Sequence, residues 1–147
     1  MHHNRKKQQI VLDNPELVLC ENGDFKIKAD LVEQYEIIEK HHNRKLDVPS
    51  GTALLLADSI RSVKDECEYN IGRHENGKRT KTEIGIHAVR MGNEVGTHEV
   101  IFATNSQVIT LKHEAENRGL FAEGAVTAAE FLIGKEAGYY NMDDILE

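Results

Sequence analysis

The sequence predicts an α+β fold in which a mixed β-sheet is covered on one face by helices. Three strand-like segments follow one another at 83–91, 97–103 and 108–113, and segments with helical periodicity lie before and after them, at 51–64 and 120–135. Strands that run together with helices around them are typical of this class. At 147 residues the chain is long enough to form one domain with its own core.

Composition and charge exclude several classes of protein. Charged residues make up 29% of the chain and hydrophobic residues 39%, as in a soluble globular protein. The net charge of -7 argues against general nucleic-acid binding, and no apolar run is long enough to span a membrane. Cys20 and Cys67 lack a C-x-x-C spacing, and the basic N-terminus has no apolar signal core. We therefore expect a cytoplasmic protein with reduced thiols.

The first thirty residues carry weak strand signals. Short apolar runs at 10–12 and 17–20, and an alternating run at 25–29, predict two or three short strands. Residues 2–6 read His-His-Asn-Arg-Lys, and the same five residues recur at 41–45. The second copy has a strand before it and a Pro-Ser-Gly-Thr turn after it, so we assign chemistry to that copy alone.

The next unit is a strand, a cationic loop and a helix start. An apolar run predicts a strand at 35–40, and His41 follows it. Ser50 or Asp47 can cap a helix that begins near Gly51. The apolar face of this helix consists of positions three and four residues apart, namely Ala53, Leu56, Ala57, Ile60 and Val63.

The remainder of the chain contains a hairpin and a second helix. Residues 64–81 are polar and contain a turn signal. The segments 97–103 and 108–113 are joined by four turn-forming residues and predict a hairpin. A second helix is predicted at 120–135, and residues 142–146 can form a last helical turn.

The loop and the helix start suit a small ligand with two negative charges. A helix start offers free backbone N–H groups and a positive dipole end to a carboxylate. Gly51 allows a ligand to approach the backbone closely. Lys45 supplies a positive charge, and a histidine can donate a proton near neutral pH. A metal site is not expected, because His41 and His42 are consecutive and point to opposite faces of a strand.

This segment resembles the signature of the 4-hydroxy-tetrahydrodipicolinate reductase family, also called dihydrodipicolinate reductase. The matching residues are His41-His42-x-x-Lys45-x-Asp47-x-Pro49-Ser50-Gly51-Thr52-Ala53, with Val48 where the family usually has alanine. The resemblance continues through Arg90-x-Gly92, Gly96-x-His98-x-Val100-x-Phe102, His113-x-Ala115 and Arg118-x-x-Phe121-Ala122-x-Gly124-Ala125. It implies that residues 31–147 are a substrate-binding and oligomerisation domain, and that residues 1–30 are a segment without a family counterpart.

The resemblance also implies roles for the signature residues. His41 is the acid or base, and Lys45 acts beside it as proton donor or as a clamp on the substrate. Which of these two gives the proton stays open. The substrate, a small cyclic dicarboxylate, is bound by His42, Ser50, Gly51 and Thr52.

Other polar residues are interpreted as structural. Asp47 and Arg44 are read as residues that order the loop or are solvated. His98 and His113 are read as sheet residues at an interface. Arg118 is either near the nicotinamide, as the resemblance implies for this region, or a salt-bridge former. The family implies an irregular excursion for the polar stretch at 64–81.

The family's dinucleotide-binding domain has no counterpart in this sequence. Gly23 is the only glycine in the first forty residues, so no Gly-rich phosphate loop occurs there. Family members use NADPH or NADH, and we expect this chain alone to be inactive and to bind neither cofactor tightly. Two hypotheses follow: a reductase of lysine and diaminopimelate biosynthesis, or a catalytically incomplete fragment that binds substrate and assembles.

The hairpin predicts an assembled protein. Its strands carry apolar residues at both alternations, so both faces of the sheet should be covered. The two predicted helices can cover one face, and another copy of the chain the other. We expect Val100 or Phe102 to face the partner. The resemblance implies a homotetramer.

Overall fold

The computed structural model describes residues 10–11, 17–19, 25–27 and 32–146, which form two sheets. The smaller sheet consists of three antiparallel strands: β1 (Ile10–Val11), β2 (Leu17–Leu19) and β3 (Phe25–Ile27). These are the short strands that the first apolar runs predict. The first His-His-Asn-Arg-Lys copy and Cys20 lie outside the described residues.

The larger sheet is the mixed sheet that the sequence predicts. Its strands are β4 (Gln34–His41), β5 (Glu68–Ile71), β6 (Glu83–Arg90), β7 (Thr97–Ala103) and β8 (Val108–Glu114). The helices are α1 (Gly51–Arg61), α2 (Gly119–Phe131) and the short α3 (Asp143–Leu146). The strand order is β5-β6-β4-β7-β8, with β4 parallel to β6 and antiparallel to β7. Strand β4 therefore lies at the centre and leads into the loop before α1.

The register of the central strands places the hydrophobic core on the α1 side of the sheet. Ile37 of β4 lies opposite Ile86 of β6, and both are almost fully buried. Ala53, Ala57 and Ile60 of α1 belong to the same core. Because these helix positions are four and three residues apart, they lie on one face of α1, as the apolar periodicity predicts.

The predicted hairpin is confirmed. Strands β7 and β8 pair in antiparallel register from Thr97 opposite Glu114 to Ala103 opposite Val108. The turn is closed by Thr104 N, which donates to the carbonyl oxygen of Gln107 at 2.9 Å. Among the described helices, none is long and apolar enough to cross a membrane.

Three features differ from the sequence prediction. The polar stretch at 64–81 contains β5, which pairs in parallel with β6. Parallel strands are joined by a crossover connection and not by a tight turn, so a local hairpin pattern does not reveal their pairing. Helix α1 ends at Arg61, and Val63 beyond it is 67% exposed. Helix α2 ends at Phe131 and buries none of its residues, so α1 is the helix whose side chains enter the core.

We expect Ile86→Ala to lower the free energy of unfolding by about 2–5 kcal/mol, because the change leaves a cavity in the core. Urea unfolding at a fixed protein concentration measures this difference. Val63→Ala is the matched control, since Val63 is exposed, and its effect should stay within about 0.5 kcal/mol. An Ile86→Ala chain as stable as this control would contradict the assigned core.

Candidate active site

The loop between β4 and α1 carries the signature residues at one end of the sheet. His41 is the last residue of β4, and Gly51 is the first residue of α1. Met91 N donates to the carbonyl oxygen of His41 at 2.9 Å, and Asn43 N donates to that of Gly92 at 3.2 Å. Gly92 has a φ of 50°, a conformation that favours glycine. The turn after β6 therefore fixes where the loop begins.

The start of α1 is capped by Ser50. Its Oγ accepts a hydrogen bond from Ala53 N at 3.2 Å, and the residue is only 2% exposed. Of the two caps that the sequence allows, Ser50 is therefore the one used. Gly51 and Thr52 follow, and both are exposed. The first amides of a helix have no partner within the helix, so they are donors available to an anion.

The carboxylate of Glu39 is the buried centre of the site. Arg90 donates to both of its oxygens, each at 2.7 Å, and Ser50 N donates to Oε1 at 3.0 Å. His41 Nδ1 lies 2.6 Å from Oε2. Burial raises the pKa of Glu39, but the hydrogen bonds from Arg90, His41 and Ser50 outweigh burial and hold the pKa below its ordinary value. Glu39 is therefore an ionised acceptor.

Lys45 lies in the same loop and pairs with Asp47. The distance from Lys45 Nζ to Asp47 Oδ1 is 2.8 Å, and the hydrogen bond from Lys45 lowers the pKa of Asp47. Lys45 N also donates to the carbonyl oxygen of His42 at 3.1 Å. Arg90 donates to the backbone carbonyl oxygen of Asp47 at 2.7 Å, so the loop is also held to the end of β6 at this residue.

His98 of β7 lies next to His41 and belongs to the site. The two ring centroids are 5.1 Å apart in an edge-to-face arrangement, and His98 Nε2 lies 3.1 Å from Ser50 Oγ. Burial lowers the pKa of His98, and the neighbouring His41 lowers it further. His98 is therefore held neutral at pH 7, and we correct its interpretation as an interface residue of the sheet.

His42 follows β4 and has an unsatisfied ring nitrogen. Its Nδ1 is buried and has no hydrogen-bond partner among the described residues. Partial burial lowers the pKa of His42, and the nearby Arg44 and Arg118 lower it further. Arg118 precedes the first residue of α2, so it acts on this loop electrostatically although it is distant in sequence.

The structure joins several signature residues through groups that sequence reasoning missed. His41 and Ser50 both bind the carboxylate of Glu39, and Ser50 also contacts His98. The alternation of β4 could have revealed Glu39, because residues two apart point to the same face of a strand. His98 required the register of β4 with β7, which places it opposite Glu39.

Two further observations concern a cavity away from this loop and the question of a metal site. A cavity of about 360 Å³ is lined by residues between 70 and 83, including Arg73, Lys78 and Arg79. Among the described residues, no group of three His, Cys, Asp or Glu side chains is arranged to hold a metal ion.

Relatives of this chain are known. Residues 25–146 match the family model described as dihydrodipicolinate reductase, C-terminus. The chain is 54% identical over 124 residues to the 4-hydroxy-tetrahydrodipicolinate reductase of Clostridium novyi, covering 82% of this chain and 49% of that protein. It is 45% identical over 147 residues to the protein of that name from Methanosarcina mazei, covering 97% of this chain and 56% of that protein. The chain spans about half the length of the curated relatives it matches.

A solved structure is similar as well. Dipicolinate-bound dihydrodipicolinate reductase from Paenisporosarcina sp. TG-14 matches with a TM-score of 0.62 and 28% identity, covering 80% of this chain and 46% of that one. This match confirms the α+β fold, with its mixed sheet, that the sequence predicts. The chain belongs to the dihydrodipicolinate reductase family and matches the C-terminal region of its members.

Proposed function

We propose that this chain is the substrate-binding and proton-transferring part of a 4-hydroxy-tetrahydrodipicolinate reductase of lysine and diaminopimelate biosynthesis. In the whole enzyme, NADPH or NADH delivers a hydride to the cyclic unsaturated dicarboxylate. The observation that carries the proposal is the segment 41–52, which contains a lysine, a histidine with an unsatisfied ring nitrogen and the exposed start of α1. A cytoplasmic location agrees with this role.

Two groups of donors fit the two carboxylates of the substrate. Lys45 supplies the first group together with His42, whose carbonyl oxygen accepts a hydrogen bond from Lys45 N and whose buried Nδ1 has no partner among the described residues. The exposed amides of Gly51 and Thr52 form the second group, with Ser50 alongside as the cap that fixes the turn. Amides at a helix start and charged side chains both bind carboxylates strongly. The similar solved structure contains dipicolinate, which is a planar dicarboxylate.

His41 and Lys45 are the catalytic residues of the proposal. Addition of a hydride leaves a centre that needs a proton, and an acid whose pKa lies near the working pH provides it efficiently. His41 is held by Glu39 and retains 11% side-chain exposure, while the Lys45 side chain retains 22%. Lys45 is either a second proton donor or a clamp on the substrate.

The alternative function is a substrate-binding and assembly fragment that does not catalyse. The chain spans about half of its relatives, and its sequence contains no Gly-rich loop of the kind that binds dinucleotides. Under this alternative, residues 1–147 bind the substrate and assemble but do not reduce it. Both functions require that residues 31–147 bind the dicarboxylate.

We also propose that the chain forms a homotetramer through the sheet face opposite α1. That face carries Ile101, and the exposed Val108, beside the ion pair of Lys40 and Glu99 at 3.1 Å. Val100 and Phe102, which the sequence suggested as partner-facing, lie on the core side instead: Val100 is opposite Ile37, and Phe102 packs against Tyr35. The register therefore moves the expected contact by one residue, to Ile101.

We expect the chain to bind dipicolinate, with an affinity that falls at least about tenfold in Lys45→Ala because a charged hydrogen bond is lost. Thr52→Val should weaken binding less, since its amide remains. A chemical-shift titration measures the dipicolinate affinity of each variant. Binding of the dianion should also raise the pKa of His42. Lys81→Ala is the control, because Lys81 is exposed and outside this loop. Equal affinity in Lys45→Ala and Lys81→Ala would contradict the assignment.

We expect the chain alone to show no micromolar affinity for NADPH or NADH, because no dinucleotide-binding loop is present in its sequence. Titration followed by nicotinamide fluorescence tests this. Dipicolinate binding by the same preparation is the control for folded protein. Saturable micromolar binding of either cofactor would disprove the expectation.

We expect light scattering to give a mass near four times that of the 16.6 kDa chain. Ile101→Lys should shift the protein towards smaller species, because it places a charge in the proposed contact. Val63→Lys is the control, since Val63 is exposed beyond α1. A stable monomer of the unaltered chain at moderate concentration would rule out the assembly.

A further inference from the structure

We infer that Glu39 is the positioning residue of this site: it fixes the ring and the tautomer of His41, so that Nε2 is the atom that transfers the proton. This inference rests on the proposed function, because it assumes that His41 handles a proton for the bound dicarboxylate. It adds a residue outside the signature and names the reacting atom. Glu39 acts through His41 and is not assigned a contact with substrate.

The hydrogen bonds of Glu39 determine which nitrogen of His41 carries hydrogen. Four nitrogen atoms lie within hydrogen-bond distance of the carboxylate: two of Arg90, the amide nitrogen of Ser50 and Nδ1 of His41. An ionised carboxylate can only accept hydrogen bonds. The 2.6 Å contact therefore requires a hydrogen on Nδ1, and in the neutral ring this leaves Nε2 without one.

The surroundings of Nε2 agree with this assignment. Nε2 makes no hydrogen bond to any described residue, and the His41 side chain keeps 11% exposure. A Cβ atom at Gly96 would lie 3.2 Å from Nε2, so the absence of a side chain there leaves room beside this nitrogen. The charged ring has hydrogen on both nitrogens. Transfer of the Nε2 proton to the substrate, as the hydride arrives from NADPH or NADH, leaves the neutral ring with hydrogen on Nδ1.

A purely structural reading of Glu39 makes a different prediction. In that reading Glu39 only joins β4 to Arg90 of β6 and to the start of α1. A change of Glu39 would then leave the tautomer of His41 unaltered. Both readings expect some loss of stability when Glu39 is changed, because a buried charged partner is removed. The tautomer of His41 distinguishes them.

The first measurement uses the unaltered chain. Long-range proton–nitrogen NMR correlations of the histidine rings, assigned with a His41→Gln variant, report which nitrogen carries hydrogen. At about pH 9, well above the ordinary histidine pKa, we expect the Nδ1–H form of His41 to exceed the Nε2–H form by about tenfold or more. A predominance of the Nε2–H form would overturn the inference without any change to Glu39.

The second measurement uses Glu39→Gln, with Glu99→Gln as the matched control. Arg90 and the amide of Ser50 can only donate hydrogen bonds, whereas Nδ1 of His41 can also accept one. The glutamine NH₂ should therefore turn towards Nδ1. Because Nδ1 then accepts, the hydrogen of the neutral ring moves to Nε2, and the Nε2–H form should become the major one. Glu99 pairs with Lys40 on the opposite face of the sheet, so its change should leave the tautomer unaltered. A folded Glu39→Gln chain with an unchanged His41 tautomer would support the structural reading and overturn ours.

Dipicolinate titration of the same variants separates this inference from the proposed function. Glu39→Gln should change the affinity by less than about threefold, because Glu39 does not contact the ligand, while Lys45→Ala should lower it much more. If the unaltered chain fails to bind dipicolinate, the proposed function fails, and with it the proton-transfer role of His41. If dipicolinate binds but the tautomer result is negative, only the role of Glu39 is overturned.

Discussion

The burial of one ionised carboxylate governs the geometry of this end of the molecule. A carboxylate without partners in a protein interior is very costly, so Glu39 has to be surrounded by donors. Those donors come from the end of β4, the end of β6 and the residue that caps α1. Because both are held by the same charge, His41 and Ser50 are fixed at the two ends of the loop between β4 and α1. Glu39, which precedes the signature, therefore anchors its first residue and the residue that caps α1.

The alternation of β4 keeps this carboxylate apart from a second ionic network. Glu36 points to the opposite face, where it accepts hydrogen bonds from Arg73, Arg79 and His87, each at 2.8 Å. Its carboxylate occupies the space over Gly85, where an added Cβ would lie 1.8 Å from Oε2. One strand thus orders the candidate site on one face and the 70–83 segment on the other, with the sheet between the two networks.

The parts of the structure that sequence reasoning predicted correctly are those with local causes. The strand before His41, the cap of α1 and the β7–β8 hairpin follow from apolar runs, a serine before a glycine and turn residues, all within a few positions. Strand β5 was missed because its segment is polar and its pairing with β6 is not visible in a local pattern. The place of His98 beside Glu39 was missed because it depends on the pairing of β4 with β7, which are far apart in sequence. The lack of burial of α2 has the same origin, since periodicity shows that a helix has an apolar face but not what that face contacts.

The three histidines of the site differ because their surroundings differ. Burial and the neighbouring His41 lower the pKa of His98, and partial burial with Arg44 and Arg118 lowers that of His42. His98 and His42 therefore do not add positive charge beside His41 at neutral pH, and His41 alone faces a carboxylate through Nδ1. A dianion bound in this loop, as proposed, would lie near Lys45 and would oppose the effect of Arg44 and Arg118 on the pKa of His42. Whatever the protonation state of His42, the contact with Glu39 orients His41 separately, through Nδ1.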